Sequence, residues 1–87
     1  MLGLVIEFVA TMIFTMLVSL TGGEAMKVGI GLAAMVVLGS AFGTGHVNPA
    51  VSVSQFLGGR LNLVKLLSLV AMQMGGAVAG HFLLALK

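Results

Sequence analysis

The chain has 87 residues, of which 60% are hydrophobic and 7% are charged. Soluble domains carry about 25% charged residues, and a domain of this size cannot bury so much apolar surface, so the composition indicates an integral membrane protein. The four basic and two acidic residues form no basic run of the kind that nucleic-acid surfaces use, so no nucleic-acid partner is predicted. The absence of cysteine excludes disulfides and thiolate metal sites.

Three apolar stretches are predicted to be membrane-spanning helices, at residues 3–21, 25–42 and 63–86. The first would rise about 28 Å as a helix, close to the roughly 30 Å hydrocarbon core of a bilayer. Gly22 and Gly23 end it, and Lys65 and Lys87 can extend their side chains to the interface near the ends of the third stretch. Because no linker or charge block divides the sequence, one domain is predicted over residues 1–87.

A fourth, shorter helix is predicted at residues 48–57. Asn48 is a favourable N-cap, Pro49 is tolerated at the first helical position, and Gly58 and Gly59 follow the last apolar residue. Ten residues give about 15 Å of helix, which is half of a bilayer. Non-helical backbone at membrane depth needs protein or a water-filled cavity around it, so the turn before Asn48 indicates a polar lumen. A surface loop followed by an amphipathic helix is the alternative that the composition leaves open.

Small residues are dense in the second and third stretches. Gly39 with Gly43, and Gly76 with Gly80, form two GxxxG pairs. Close approach of two transmembrane helices needs such residues, so both pairs are predicted to bring helices together.

The sequence does not predict an enzyme. It contains no apparent nucleophile–base pair, and no group of metal-ligand residues surrounds either histidine. Neither catalytic residues, nor metal ligands, nor a cofactor is therefore predicted.

Four motifs stand along the chain: EFVAT at residues 7–11, GIGLAA at 29–34, GHVNPAV at 45–51 and QMGGA at 73–77. In type and spacing they resemble the first half of the aquaporin, or major intrinsic protein, family, and the resemblance covers essentially the whole chain. The fold that it implies is all-α, with three transmembrane helices plus one re-entrant half-helix. These would form one inverted-repeat unit of an aquaporin-like fold.

The family's channels contain two such halves in inverted orientation, whereas this sequence shows one NPA loop. One half alone cannot enclose a pore, because its loop would face lipid with unsatisfied backbone groups. The resemblance therefore implies either a fragment or two copies that pair antiparallel, with a tetramer of dimers as a further assembly. In the family-like orientation two basic residues face each side, so the positive-inside rule does not select one topology.

The function implied by the resemblance is a passive channel for water or small neutral solutes such as glycerol, in the cell membrane. Asn48, Pro49 and Ala50 would form the pore motif, and the carbonyl groups of the preceding loop would line one wall. That loop comprises Gly43, Thr44, Gly45, His46 and Val47. A plain N-cap is the simpler role for Asn48.

Three further residues acquire expected roles from the resemblance. A carboxylate near the middle of a span costs about 2.5–3.5 kcal/mol on insertion scales, which makes Glu7 a functional candidate. Glu7 and Gln73 are expected to support the NPA loop; a proton relay is the alternative for Glu7, and a helix–helix hydrogen bond is the alternative for Gln73. His46 is expected to line or gate the vestibule, or to fix the loop by a hydrogen bond.

The narrowest part of the pore is expected to differ from that of the family. The resemblance places Ile30 at a filter position of the second helix and Val51 at the position of the filter arginine. Leu38 of a second copy would join them. All three side chains are aliphatic, so the expected constriction is hydrophobic and permissive.

Two other functions stay open at this point. Glu7 in the first helix is compatible with a small dual-topology, proton-coupled multidrug exporter, although such exporters have four spans and no half-helix. A non-conducting channel fragment is the second alternative.

Overall fold

The described part of the chain, residues 2–86, folds into four helices. The computed structural model describes residues 2–86, so Lys87 and its predicted position at the interface lie outside the described residues. The helices are α1 (Leu2–Leu20), α2 (Ala25–Ser40), α3 (Pro49–Leu57) and α4 (Leu63–Ala85). Residues 2–86 contain no β-strand, and the prediction of an all-helical fold is confirmed.

The helices differ in length in a way that bears on the membrane. Helix α1, with 19 residues, and helix α4, with 23, are long and apolar enough to cross a bilayer. Helix α2 has 16 residues and ends at Ser40, where a turn begins, so it is shorter than the apolar stretch that contains it. Helix α3 has nine residues, which corresponds to about 14 Å.

Polar capping side chains start three of the four helices. Asn48 caps α3 and Asn62 caps α4. The Glu24 carboxylate accepts hydrogen bonds from Lys27 N and Met26 N at the start of α2. These bonds, with that of Lys27 the stronger influence, lower the pKa of Glu24. The cap is therefore fully formed above the ordinary pKa of a glutamate and is lost as the pH falls through the lowered value.

Helix α1 lies between α2 and α4, and α3 packs against α4. Gly76 makes the approach of α4 to α1 possible, because a Cβ atom there would collide with the Phe8 carbonyl oxygen. Gly80 lies one turn further, where a Cβ atom would come within 3.0 Å of Met12 O. This GxxxG pair therefore packs two helices together, as the sequence predicts.

The other GxxxG pair does not have this role, and the prediction is wrong for Gly39 and Gly43. Gly43 lies beyond the end of α2 with a φ of 80°, and a Cβ atom there would meet nothing within 4 Å. Gly39 packs against the loop instead of a helix, since a Cβ atom on it would lie 2.6 Å from Gly45 Cα. The tight turn after α2 needs glycine for its backbone conformation and for close approach of the loop.

The interior of the fold is unusually polar. Its most deeply buried side chains include Glu7 and Gln73, each 1% exposed, and Ser52, which is fully buried. Large apolar side chains instead cover the outer faces of the helices, with Ile30 63% exposed and Val64 74% exposed. This distribution is the reverse of that in a soluble domain, and it predicts apolar surroundings for the helix bundle.

Candidate functional site

The polar interior gathers around the loop that precedes α3. Val47, the last loop residue before the cap, is 3% exposed and has a φ of 58°. A left-handed backbone conformation is rare for a β-branched residue and costs on the order of 1–3 kcal/mol. Such strain persists only where the surrounding structure holds the residue in place, so the contacts of Val47 identify what shapes the loop.

Helix α1 supplies the contacts that hold Val47. The Glu7 carboxylate accepts a hydrogen bond from Val47 N, with N–O distances of 2.8 Å to Oε1 and 3.3 Å to Oε2. One turn along the same helix, Thr11 Oγ1 donates to Val47 O at 3.5 Å. Both backbone polar groups of Val47 are thus hydrogen-bonded to α1. The partners are distant in sequence, since Glu7 lies 40 residues and Thr11 lies 36 residues before Val47.

Helix α2 holds the earlier part of the loop. Thr44 N donates to Gly39 O at 2.9 Å, and Thr44 Oγ1 lies 3.3 Å from the same oxygen. Gly45 has a φ of 116°, and a Cβ atom there would come within 2.9 Å of Val36 O. The loop backbone therefore packs closely against the end of α2 at Gly45 and is hydrogen-bonded to α1 at Val47.

A hydrogen-bonded row of side chains ties the loop to α3 and α4. His46 Nδ1 lies 2.8 Å from Ser52 Oγ, and Gln73 Nε2 donates to the same oxygen at 2.9 Å. The row connects the loop, the short helix and the long helix α4 through one hydroxyl group. Gln73 is thus placed beside the loop, but its contact is with Ser52 and not with the loop backbone.

The N-terminus of α3 is capped and partly open to the surroundings. Asn48 has extended backbone angles, and its Oδ1 accepts a hydrogen bond from Ala50 N at 2.8 Å. Pro49 occupies the first helical position, where no N–H is needed. Asn48 and Ala50 are exposed, so the Asn48 Nδ2 group is available as a donor next to the positive end of the α3 dipole.

The three residues expected at the constriction do not come together within one copy. Ile30 and Leu38 belong to α2 and Val51 to α3, and these helices do not pack against each other in the described part of the chain. Ile30 is 63% exposed, Val51 is 40% exposed and Leu38 is half-buried. The side chains of Ile30 and Val51 therefore lie on the surface of the single copy.

Two residues of the site received no role from the sequence, Thr11 and Ser52. Thr11 follows Glu7 by four residues, which puts both side chains on one face of α1. Ser52 is a polar residue in a short apolar helix, three positions after Pro49. Those spacings are detectable signals, but nothing in the local sequence specifies their partners in the loop and in α4.

The cap of α3 gives a direct prediction for local stability. Replacing Asn48 with alanine removes the acceptor of Ala50 N and should destabilise the start of α3 by about 0.5–2 kcal/mol. Asn48→Asp retains an acceptor and should preserve the helix start. Hydrogen exchange of the Ala50 amide in micelles measures the difference, with Asn62→Ala as a control that uncaps α4 instead. Equal exchange at Ala50 in the parent and in Asn48→Ala would contradict the assignment of the cap.

Curated proteins similar to this chain include aquaporin-5 of Mus musculus and aquaporin-5 of Rattus norvegicus. This chain is similar to one part of aquaporin-5. In each case 32% of the residues are identical over 88 aligned positions, which cover 85% of this chain. The chain spans 32% of the length of each relative. No family model matches the chain, and no solved structure matches it.

Proposed function

We propose that the chain belongs to the aquaporin, or major intrinsic protein, family and forms one half of a passive channel for water and small neutral solutes such as glycerol. The observation that carries the proposal is the capped N-terminus of α3, presented on a loop that the buried Glu7 holds by Val47 N. The similarity to aquaporin-5 over 85% of the chain supports the same conclusion.

The proposed setting is the cell membrane, with α1, α2 and α4 as spans and α3 as a re-entrant half-helix. Two observations support it: α1 and α4 are long enough to cross a bilayer, and the bundle carries apolar side chains outside and polar ones inside. Helix α3 is about half as long as a bilayer is thick, so it would bring its N-terminus near the midplane.

Selectivity would follow from the electrostatics of that N-terminus. The first N–H groups and the positive dipole end of α3 disfavour cations, protons included, whereas a neutral hydroxylic solute is not repelled. The exposed Asn48 would donate a hydrogen bond through Nδ2 while Oδ1 caps the helix. The carbonyl oxygens of residues 43–46 would accept hydrogen bonds from the same solute, whereas Val47 O is buried and accepts from Thr11 Oγ1.

The second wall of the pore would come from another copy in antiparallel orientation, and such dimers would assemble further into a tetramer of dimers. Antiparallel pairing would bring two positive helix ends to the midplane from opposite sides, which would raise the barrier to cations. A complementary half from another polypeptide would satisfy the same geometry and is the competing outcome of the topology test below.

The proposed constriction is aliphatic. Ile30 and Val51 would face the pore of their own copy, and Leu38 of the second copy would lie opposite them. No fixed charge and few hydrogen-bonding groups would stand there, so a solute that sheds water gains only apolar contact. Carbon-bearing solutes such as glycerol are therefore favoured over water, relative to a narrow filter lined by arginine.

The position of Glu7 bears on the exporter alternative. A proton-coupled exporter requires a carboxylate that exchanges protons and substrate with both sides of the membrane. Glu7 is 1% exposed and both of its oxygens lie within 3.3 Å of Val47 N. That arrangement supports a structural role in holding the loop.

A topology measurement tests the antiparallel assembly. The chain contains no cysteine, so Leu2→Cys and Leu86→Cys each supply a single reporter, at exposed positions on opposite sides of the proposed bundle. Two antiparallel copies predict that an impermeant thiol reagent labels about half of the chains at each position in sealed cells. Nearly complete labelling at one position with almost none at the other would exclude antiparallel copies and favour a partner half from another polypeptide.

A further inference from the structure

The arginine that follows α3 folds back over the last turn of that helix. Arg60 N donates to Gln55 O at 2.9 Å, and Gly59 before it has a φ of 78°, which turns the chain back toward the helix. A Cβ atom on Gly58 would collide with Arg60 Nη1 and would lie 3.5 Å from Ser54 O. The guanidinium group therefore lies beside the carbonyl groups at the C-terminal end of α3.

Both acidic side chains of the sequence are engaged elsewhere. The chain contains two acidic residues. Glu7 accepts a hydrogen bond from Val47 N inside the bundle, and Glu24 accepts from backbone N–H groups at the start of α2. The charge that Arg60 offsets is therefore the partial negative charge of the last carbonyl groups of α3, which is the negative end of the helix dipole.

A charge at one end of a short helix also acts at the other end. The exposed Asn48 and Ala50 stand at the positive end of α3, and Ala50 lies eight residues, or about 12 Å, before Gly58. A guanidinium group over the negative end raises the electrostatic potential at the positive end. A unit charge about 12 Å away changes the equilibrium population of a cation there by a factor of about two to ten, for effective dielectric constants between about 80 and 20.

We propose that Arg60 determines part of the ion selectivity of the pore: its guanidinium group, held over the C-terminal turn of α3, strengthens the repulsion of cations at the N-terminal turn. The effect on selectivity rests on the proposed channel function, whereas the effect on the potential at the start of α3 does not. A neutral solute carries no net charge, so the contribution of Arg60 appears in the ratio of cation permeability to glycerol permeability.

A single cysteine at the start of α3 measures the potential without any flux. The chain contains no cysteine, tryptophan or tyrosine, so the ultraviolet absorbance of the thiolate in Ala50→Cys can be titrated in micelles. Addition of Arg60→Gln should raise the titration midpoint of this thiol by about 0.3–1 pH unit at low ionic strength, which is the same two- to tenfold factor. Glu7 and His46 are present in both proteins, so the difference between the two midpoints reports Arg60.

Two further variants test where the charge must lie. Gly58 has a φ of −77°, which alanine adopts without strain, and the added methyl group would displace the guanidinium group from α3. Gly58→Ala should therefore raise the midpoint although every charge remains, but by less than Arg60→Gln. Lys27→Gln removes the same charge from the first turn of α2, which does not pack against α3 within residues 2–86, and should also have a smaller effect. An unchanged midpoint in Arg60→Gln, or shifts of equal size in Arg60→Gln and Lys27→Gln, would overturn the proposal.

Flux measurements test the consequence for selectivity. In proteoliposomes that contain an entrapped pH dye, the ratio of proton permeability to glycerol permeability should rise about two- to tenfold in Arg60→Gln, and less in Lys27→Gln. A ratio in Arg60→Gln equal to that of the parent would refute the role of Arg60 in selectivity. If neither protein conducts glycerol while the thiol midpoint shifts as expected, the channel proposal fails and the electrostatic effect of Arg60 on α3 stands.

Discussion

Replacing Glu7 with alanine is expected to abolish most of the solute flux, because it removes the group that holds the strained loop. Val47 N would be left buried without an acceptor, which costs about 1–3 kcal/mol. Val47 would then relax from its φ of 58° to a more favourable backbone conformation. The adjacent Asn48, which caps α3, would be displaced as a result. Stopped-flow light scattering on proteoliposomes measures the flux, and hydrogen exchange at Val47 reports the loop in the same variant.

Two further variants distinguish the role of Glu7 in holding the loop from a role of its carboxylate in proton transport. Glu7→Gln keeps one acceptor oxygen, so a channel should retain partial, non-saturating flux without proton movement, whereas an exporter would lose coupled transport. Glu24→Gln removes the same charge from an exposed helix cap and should leave flux unchanged. Substrate-driven proton movement in the parent that disappears in Glu7→Gln would establish the exporter and refute the channel.

Replacing Gly76 with alanine is expected to have the largest effect on stability. The added methyl group would meet the Phe8 carbonyl oxygen and would lie 3.1 Å from Met12 N, so α1 and α4 must move apart. Overpacking of this kind costs about 1–3 kcal/mol, and here the obstacle is helix backbone that cannot rotate away. Unfolding by sodium dodecyl sulfate in mixed micelles, followed by circular dichroism, measures the loss.

Gly29 of α2 provides the matched control. It is also a glycine inside a helix, but a Cβ atom there would meet nothing within 4 Å. Gly29→Ala should therefore stabilise the isolated chain slightly, by up to about 1 kcal/mol, because alanine has the higher helix propensity. Equal effects of the two substitutions would show that α4 does not approach α1 at Gly76.

The short helix could be predicted because its signals are local. Asn48 and Pro49 specify its start, and Gly58 and Gly59 follow its end, all within twelve residues. The same local reasoning fails for Gly43, since GxxxG spacing does not reveal that α2 ends at Ser40. A helix-packing motif and a glycine turn have the same appearance in sequence until the end of the helix is known.

The conformation of Val47 could not be predicted from its own sequence. A β-branched residue favours extended backbone, and its φ of 58° reflects contacts with Glu7 and Thr11, more than thirty residues away. Ser52 is similar, because its partners lie in the loop and in α4. The resemblance to aquaporins directs attention to Glu7, Asn48 and Gln73, but the hydroxyl group that connects His46 with Gln73 becomes apparent only when the helices are packed.

Osmotic swelling of proteoliposomes that contain this chain alone tests most directly whether it conducts solutes. Water and glycerol fluxes should both exceed those of protein-free liposomes, rise linearly with the gradient and occur without proton movement. Because the proposed constriction is aliphatic, the gain for glycerol should be large relative to the gain for water. Fluxes equal to those of protein-free liposomes, from protein shown by circular dichroism to be folded, would contradict the proposal that copies of this chain form a channel.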